Sequence, residues 1–188
     1  PPPPPPGPYR GTGGARVPSA AEVTTPQLAA ALSSAVANWA EESNGVVEAR
    51  VFDLAGPPAD EAVPATLLTL GLESLAGVGR KKAALSVSAC PPGQAWRVLF
   101  AAASTGGAYN SGSHGAYGRL AAWQSLAALA GVADGAGSAE VEARAAECAW
   151  FGFDARTDWF EQVAWDIGLA ALSPDRRRLA VLAATDTD

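Results

Sequence analysis

Several residue types are missing or scarce in this chain, and each shortage narrows what the protein can be. The sequence has no methionine, one histidine and two cysteines among 188 residues. Cys90 and Cys148 lie far apart and match neither a zinc-site nor a redox spacing, so we expect two small buried side chains and no metal. Because the chain does not begin with methionine, we expect it to be part of a longer product.

Charged residues are few, and their balance is acidic. They make up 17% of the chain, against roughly 25% in an average globular protein. The formal net charge is -6, and basic residues cluster only at 80–82 and 176–178, whereas phosphate contacts need dense Lys and Arg. No apolar run reaches the roughly 18 residues that span a membrane, and no leader is visible. We therefore expect a cytoplasmic protein without nucleic-acid or membrane partners.

Length and composition predict one domain behind an N-terminal arm. We place the arm at 1–24 and an α+β domain at 25–188, which is long enough to bury a substantial core. Prolines fill positions 1–6 and 8, and proline fixes φ and removes a donor, so this arm should be extended polyproline II. Two interpretations remain: a ligand for an aromatic-lined groove, or a linker, in which case deletion of residues 1–19 would leave thermal stability nearly unchanged.

Apolar spacing predicts a mixture of helices and strands. Thr25 is the expected N-cap of a first helix that runs past Trp39 and stops at Asn44 and Gly45. The further predictions are a strand at 46–54, a helix at 60–76, a helix or strand at 80–90, a strand at 96–103, helices at 116–129 and 140–149, and an aromatic strand at 148–153.

The clearest β signal is a C-terminal hairpin. Residues 163–171 alternate around Trp165 and Ile167, which we expect in the core, and 173–176 carries type I turn chemistry before a strand at 179–184. The predicted fold class is therefore α+β, with one mostly antiparallel sheet of about four or five strands and helices packed on one face.

A glycine-rich loop between the strand at 96–103 and the helix at 116–129 is the best candidate site. Such a loop presents backbone N–H groups at the positive end of a helix dipole, where an anion can bind. Its glycine spacing fits neither a phosphate loop nor a dinucleotide fingerprint, and Ser111 and Ser113 lack a nucleophile elbow around them. We therefore assign no catalytic residue, cofactor or metal. The candidate ligand-binding residues are Tyr109, Asn110, Ser113, His114, Arg119 and Asp166.

Carboxylates near the C-terminus carry two further hypotheses. Asp186 and Asp188 share a face of an extended tail, so they either hold a hard cation or are simply solvated. Asp166 lies on a probable core strand, where a buried carboxylate needs an arginine partner or a hydrogen-bond donor, and Arg97 or Arg119 is a candidate partner.

Three stretches resemble an uncharacterised actinobacterial family of unknown function. They are Gly106-Gly107-Ala108-Tyr109, the segment 115–123 (Gly-Ala-Tyr-Gly-Arg-Leu-Ala-Ala-Trp), and the closing Ala183-Ala184-Thr185-Asp186-Thr187-Asp188. The resemblance covers about the last ninety residues and implies no activity.

Two functions from different classes fit these observations. The first is a non-catalytic module that binds a protein partner, with the proline arm as tether and the aromatic segment Trp150 to Trp159 as contact surface. The alternative is a small-ligand or anion-binding domain, possibly an enzyme, that uses the loop 106–119. Convergence of the candidate residues in one pocket would favour the second.

Overall fold

A six-stranded antiparallel sheet is the centre of the fold. The computed structural model describes residues 16–79, 84–108, 110–162 and 164–187. The strands in chain order are β1 (Ala20–Glu22), β2 (Val46–Leu54), β3 (Leu85–Ala89), β4 (Ala149–Ala155), β5 (Ile167–Leu172) and β6 (Arg178–Thr185). Their order across the sheet is β1-β2-β6-β5-β4-β3. The α+β class and the antiparallel sheet are confirmed, but the sheet has six strands rather than the expected four or five.

Helices cover both faces of this sheet. They are α1 (Pro26–Ser33), α2 (Ala37–Glu42), α3 (Val63–Thr69), α4 (Pro92–Thr105), α5 (His114–Ala130) and α6 (Ser138–Glu147). We call the face that packs against α1, α2, α4, α5 and α6 the first face, and the apolar residues buried there the first core. The second face packs against α3 and the short turns that flank it, and the apolar residues buried there form the second core. The prediction of helices on one face is wrong, because β6 is apolar on both sides: Leu182 enters the first core and Val181 the second.

The first helix begins and ends where the sequence predicts. Thr25 Oγ1 accepts a hydrogen bond from the Leu28 N–H at 3.2 Å, and Pro26 occupies the first turn. The helix continues through a 3-10 turn at 34–36 into α2, and the Gly45 N–H donates to the Trp39 carbonyl at 3.1 Å. A Cβ at position 45 would lie 2.7 Å from the Trp39 backbone, so the stop requires glycine.

The segment 96–103 is helical, and the predicted strand there is wrong. It forms most of α4, which follows Pro91 and has Pro92 in its first turn. The buried side chains are Ala95, Leu99, Ala102 and Ala103, at spacings of four, three and one that place them on one helical face. The candidate loop therefore joins two helices.

The predicted helix at 60–76 is divided into three short pieces. These are a 3-10 turn at Asp60–Ala62, α3, and a second turn at Glu73–Leu75. Gly71, with φ of 66°, separates the last two. The buried Glu48 carboxylate then accepts hydrogen bonds from the Glu73 and Ser74 N–H groups at 2.9 and 3.0 Å, which caps the second turn.

The two edge strands of the sheet are β1 and β3. For the first segment the sequence predicts part of the arm, and for the second it predicts either a helix or a strand. β1 lies within the residues assigned to the arm, and Arg50 ties it to β2 by donating to both Glu22 carboxylate oxygens, at 3.1 and 2.5 Å. β3 resolves the ambiguity at 84–90 in favour of a strand. Residues 80–83, with their basic run, lie outside the described residues.

The C-terminal hairpin is confirmed. β5 pairs with β6 from Ile167 opposite Ala184 to Leu172 opposite Leu179. The turn is closed by the Arg176 N–H, which donates to the Ser173 carbonyl at 2.8 Å. Ile167 is buried and faces the first core, and Trp165 is half-buried against it. Val163 lies outside the described residues.

Ile167→Ala should be costly and Asp175→Ala, at the exposed turn, should not. Removing a buried isoleucine side chain costs about 2 to 5 kcal/mol through lost burial and the cavity left behind. Asp175 accepts from the Ser173 hydroxyl at 2.6 Å and from the Arg177 N–H at 3.1 Å, contacts that water can replace. Urea melts of the two variants test this. Similar midpoints would contradict the packing assigned to Ile167.

Candidate functional site

The glycine-rich loop between α4 and α5 is folded tightly onto itself. Gly106 has φ of 82°, a conformation that favours glycine. The Gly107 N–H donates to Asn110 Oδ1 at 2.9 Å, and the Ser113 N–H donates to the Ala103 carbonyl at 2.8 Å. A Cβ at position 112 would lie 2.4 Å or a little more from the Ser104 and Gly106 backbones. Gly106 and Gly112 are therefore needed because the backbone of the loop turns sharply and approaches itself closely at these positions.

Asn110, one of the predicted ligand-binding residues, is bonded to α2. Its side-chain amide donates to the Asn38 carbonyl at 2.9 Å, and the Asn38 amide donates back to Asn110 Oδ1 at 3.2 Å. The side chain therefore joins the loop to the N-terminal half of the domain.

Asp186 lies behind the same loop as a fully buried carboxylate. It is 0% exposed and follows β6. Its oxygens accept hydrogen bonds from the Ser43 hydroxyl at 2.9 Å and the Ala108 N–H at 2.7 Å, and from the Thr187 N–H at 3.1 Å. Asp186 thus connects the residues after β6 to the end of α2 and to the loop. The prediction that it is solvated is wrong, because its carboxylate is buried. Asp188 lies outside the described residues.

The other predicted ligand-binding residues of the loop face solvent or cannot be described. Ser113, His114 and Arg119 are exposed, and His114 has a φ of 56° at the first position of α5. Tyr109 lies outside the described residues. The structure therefore brings Asn110 to a buried network and leaves Ser113, His114 and Arg119 on the surface.

Asp166 is separated from this loop by the sheet. It accepts a hydrogen bond from the Thr185 hydroxyl at 2.6 Å and lines a concavity of about 330 Å³ with Phe153 and Phe160 of the second core. The ion pairs found among the described residues do not include it. Arg97 instead donates to the Gly93 carbonyl at 3.1 Å, and Arg119 is exposed. Of the two predicted alternatives, Asp166 therefore has the hydrogen-bond donor, Thr185, and neither candidate arginine is its partner.

The most unusual surface of the molecule is the outer row of α5. Its inner side is buried through Ala122, Leu126 and Leu129. Its outer side carries the exposed polar side chains Arg119 and Gln124, and it also exposes 76% of Tyr117 and 55% of Leu120. Large apolar side chains of a helix normally face the core, yet these two are open.

That row borders a groove, which we call the α5 groove. It consists of two concavities of about 540 and 290 Å³ that share Trp123. The larger lies between α1, α5 and the loop before α6, and the smaller between α4, α5 and α6. Its lining residues include Ala31, Leu120, Trp123, Gln124, Ala127, Asp134, Val141, Trp96, Leu126 and Glu142.

Aromatic rings form the centre of the α5 groove. The Trp96 and Trp123 ring centroids lie 4.8 Å apart, and Trp96 stacks on Phe100 with centroids 5.8 Å apart and an interplanar angle of 11°. All three rings are half-buried. The three rings form one contiguous aromatic cluster that is partly accessible to solvent.

Comparison with known proteins identifies the family. A model described as "Family of unknown function (DUF6183)" matches residues 4–188. The chain belongs to DUF6183. Neither the curated proteins nor the solved structures contain a significant match. The DUF6183 match includes most of the proline-rich arm and is more extensive than the C-terminal resemblance seen in the sequence.

The aromatic segment expected to form a contact surface in this DUF6183 chain is mostly core. Trp150, Phe151 and Phe153 are at most 6% exposed, because they alternate between the two faces of a strand that is covered on both sides. Trp159 is half-buried against the second core. The exposed aromatic surface lies instead on α4 and α5, and the large apolar side chains that α5 carries outside its buried stripe are the sequence signal that could locate it.

Three general properties of this DUF6183 chain bear on any site. Within the described ranges, no group of three His, Cys, Asp or Glu side chains is arranged to hold a metal. Cys90 and Cys148 are buried free thiols, and burial raises the pKa of each, which lowers their reactivity. In the same ranges, no helix is long and apolar enough to cross a bilayer.

Proposed function

We propose that this DUF6183 chain is a non-catalytic protein-interaction module whose contact surface is the α5 groove. The observation that carries the proposal is the open apolar row of α5, with Tyr117 and Leu120 exposed beside Trp123. Covering such a row with a partner stabilises a complex by roughly 25 cal/mol for each Å² of apolar surface removed from water.

The composition of the groove favours a protein partner over a small molecule. Interface centres are enriched in Trp and Tyr and poor in charge, as is the strip formed by Tyr117, Leu120, Trp123 and Trp96. Small-ligand sites combine an enclosed apolar pocket with a few convergent polar groups. The α5 groove is open, and its acids, Asp134 and Glu142, are exposed side chains of its border.

The loop 106–119 provides weaker support for the alternative of anion binding. The amide of Asn110 is already engaged by Asn38, and the glycines are occupied by backbone packing. We propose instead that the loop holds α4 and α5 in the orientation that forms the groove. The two buried thiols fit a reducing compartment, and we propose a cytoplasmic location.

Site-specific photo-crosslinking tests the proposed surface. A photoreactive side chain in place of Gln124, which is exposed and lines the groove, should give a discrete adduct in extracts of the source cells. The same group in place of Leu68, which is 47% exposed on the second face, is the matched control. Mass spectrometry then identifies the adducts.

The decisive result is the response to Leu120→Asp. A central hot-spot contact contributes about 2 kcal/mol or more, so this change should abolish the adduct at position 124. Leu120 is mostly exposed, so the variant should melt close to the parent. Equal adducts at positions 68 and 124, or an adduct unaffected by Leu120→Asp, would reject the groove as the contact surface.

A further inference from the structure

We propose that the N-terminal proline segment of this chain, residues 1–10, binds in the α5 groove of the same molecule as a polyproline II strand. The proposal rests on the proposed function, since it concerns the same groove. Residues 1–15 lie outside the described residues, and the segment enters the argument through its sequence and its point of attachment. Arg16 is the first described residue and is exposed.

The side chains of the groove and of the segment have complementary chemistry. Polyproline II strands dock on surfaces lined by aromatic rings, because proline rings lie flat against them and little chain entropy is lost. The α5 groove offers the half-buried rings of Trp96 and Trp123, and Tyr117 is exposed six residues before Trp123 on the same helix. Seven of the first eight residues are proline.

Charge adds to this match. Residues 1–20 contain Arg10 and Arg16 and no acidic residue, although the whole chain is acidic. Exposed acids, Asp134 and Glu142, lie at the border of the two concavities. Arg10, two residues after the last of these prolines, would therefore approach carboxylates, which favours this segment over an uncharged proline tract.

The segment can reach across much of the domain from its attachment at Arg16. In polyproline II conformation, at about 3.1 Å per residue, Arg10 lies about 19 Å and Pro1 about 47 Å from Arg16. A compact chain of this length has a radius of gyration of about 16 Å and is therefore about 40 Å across. Intramolecular attachment gives an effective concentration on the order of 1 mM, so even a contact of about 0.1 mM affinity would be mostly formed.

The family match also includes this segment. The match to the family model starts at residue 4, so most of the proline tract lies within the region that the DUF6183 model describes. A linker that only connects this domain to another would not need to fall within that region. Docking of the tract would cover the open row of α5, and a partner would then have to displace it.

Paramagnetic broadening in the full chain tests the proposal. A nitroxide on Gly7→Cys should strongly broaden the indole N–H signals of Trp96 and Trp123, with the Trp159 signal on the second face as internal reference. The native cysteines are buried, so labelling is confined to position 7. Replacing Pro2, Pro4 and Pro6 by glycine should restore both signals to the intensity of the reference.

Two further samples decide between the possible outcomes. In the first, Leu120→Asp should reduce the broadening of the Trp96 indole signal. In the second, isotope-labelled chain without a nitroxide is mixed with unlabelled chain that carries one, and no signal of the labelled chain should be broadened. Broadening in that mixture would overturn binding within one molecule in favour of a second copy. Equal, weak broadening of all three indoles would overturn docking altogether.

The crosslinking experiment separates this proposal from the proposed function. If the segment docks and the groove also binds a partner, the adduct at position 124 should increase severalfold when the prolines are replaced. An adduct that depends on Leu120 but does not change with the prolines would reject docking and leave the interaction surface in place. Broadening in the parent chain, together with no partner adduct even after the prolines are replaced, would reject the interaction module and retain the docked segment.

Discussion

Asp186→Ala should lower the free energy of unfolding by about 3 to 6 kcal/mol, because a hydrogen bond to a charged group contributes about 1.5 to 3 kcal/mol and two distant donors lose their acceptor. Those donors are the Ser43 hydroxyl and the Ala108 N–H. The carboxylate is 0% exposed, so water does not readily replace it. Urea unfolding at constant m-value measures the loss.

Two further variants distinguish the network from a general effect of removing an acid. Asp186→Asn keeps one oxygen for the Ala108 N–H and offers an amide donor to the Ser43 oxygen, so it should cost clearly less than alanine. Asp134→Ala removes an exposed carboxylate and should change stability by no more than about 0.5 kcal/mol. Equal losses for Asp186→Ala and Asp134→Ala would contradict the buried network.

The elements that could be predicted from the sequence are those with local signals at both ends. Thr25, Pro26 and Gly45 define the first helix through a cap, a first-turn proline and a close backbone contact. The hairpin is defined by alternation and by the turn at Ser173 to Arg176. In each case neighbouring residues determine the conformation, so no knowledge of the rest of the chain is needed.

The strand predicted at 96–103 failed because a short alanine-rich apolar run suits a buried strand and a helix equally well. Its length and its start decide the matter: Pro92 is suited to a first helical turn, and the buried positions Ala95, Leu99 and Ala102 have helical spacing. The signal for the helix start lies in Pro91 and Pro92, before the apolar run that by itself predicts a strand.

The buried network and the groove depend on contacts that no local pattern contains. Asp186 meets Ser43, which is 143 positions away, and Ala108, which is 78 away. A terminal acid looks solvated until β6 is placed in the middle of the sheet. Similarly, the sequence of α5 shows large apolar side chains on more than one side of the helix, but only the packed helices show that Tyr117 and Leu120 stay open.

Gly107→Ala should be nearly as damaging as the loss of Asp186, although it adds only a methyl group. A Cβ at position 107 would overlap the Asp186 carboxylate, lying 2.9 Å from its Cγ and nearer still to an oxygen. The carboxylate cannot move away without breaking its bonds to Ser43 and Ala108. Overpacking costs about 1 to 3 kcal/mol, and each lost bond adds about 1.5 to 3 kcal/mol, so we expect a loss of about 3 kcal/mol or more.

Gly115→Ala is the matched control, and a double variant identifies the cause. No atom lies within 4 Å of a Cβ at position 115, and alanine is the better helix former, so this change should stabilise by up to about 1 kcal/mol. If the damage at position 107 arises from the carboxylate, Gly107→Ala should cost far less in a chain that already carries Asp186→Ala, since the space is then free. Denaturant melts of the four chains in this cycle give the coupling. Full additivity would show that alanine at position 107 disturbs the loop in some other way, and that the contact between Gly107 and Asp186 does not hold the loop in place.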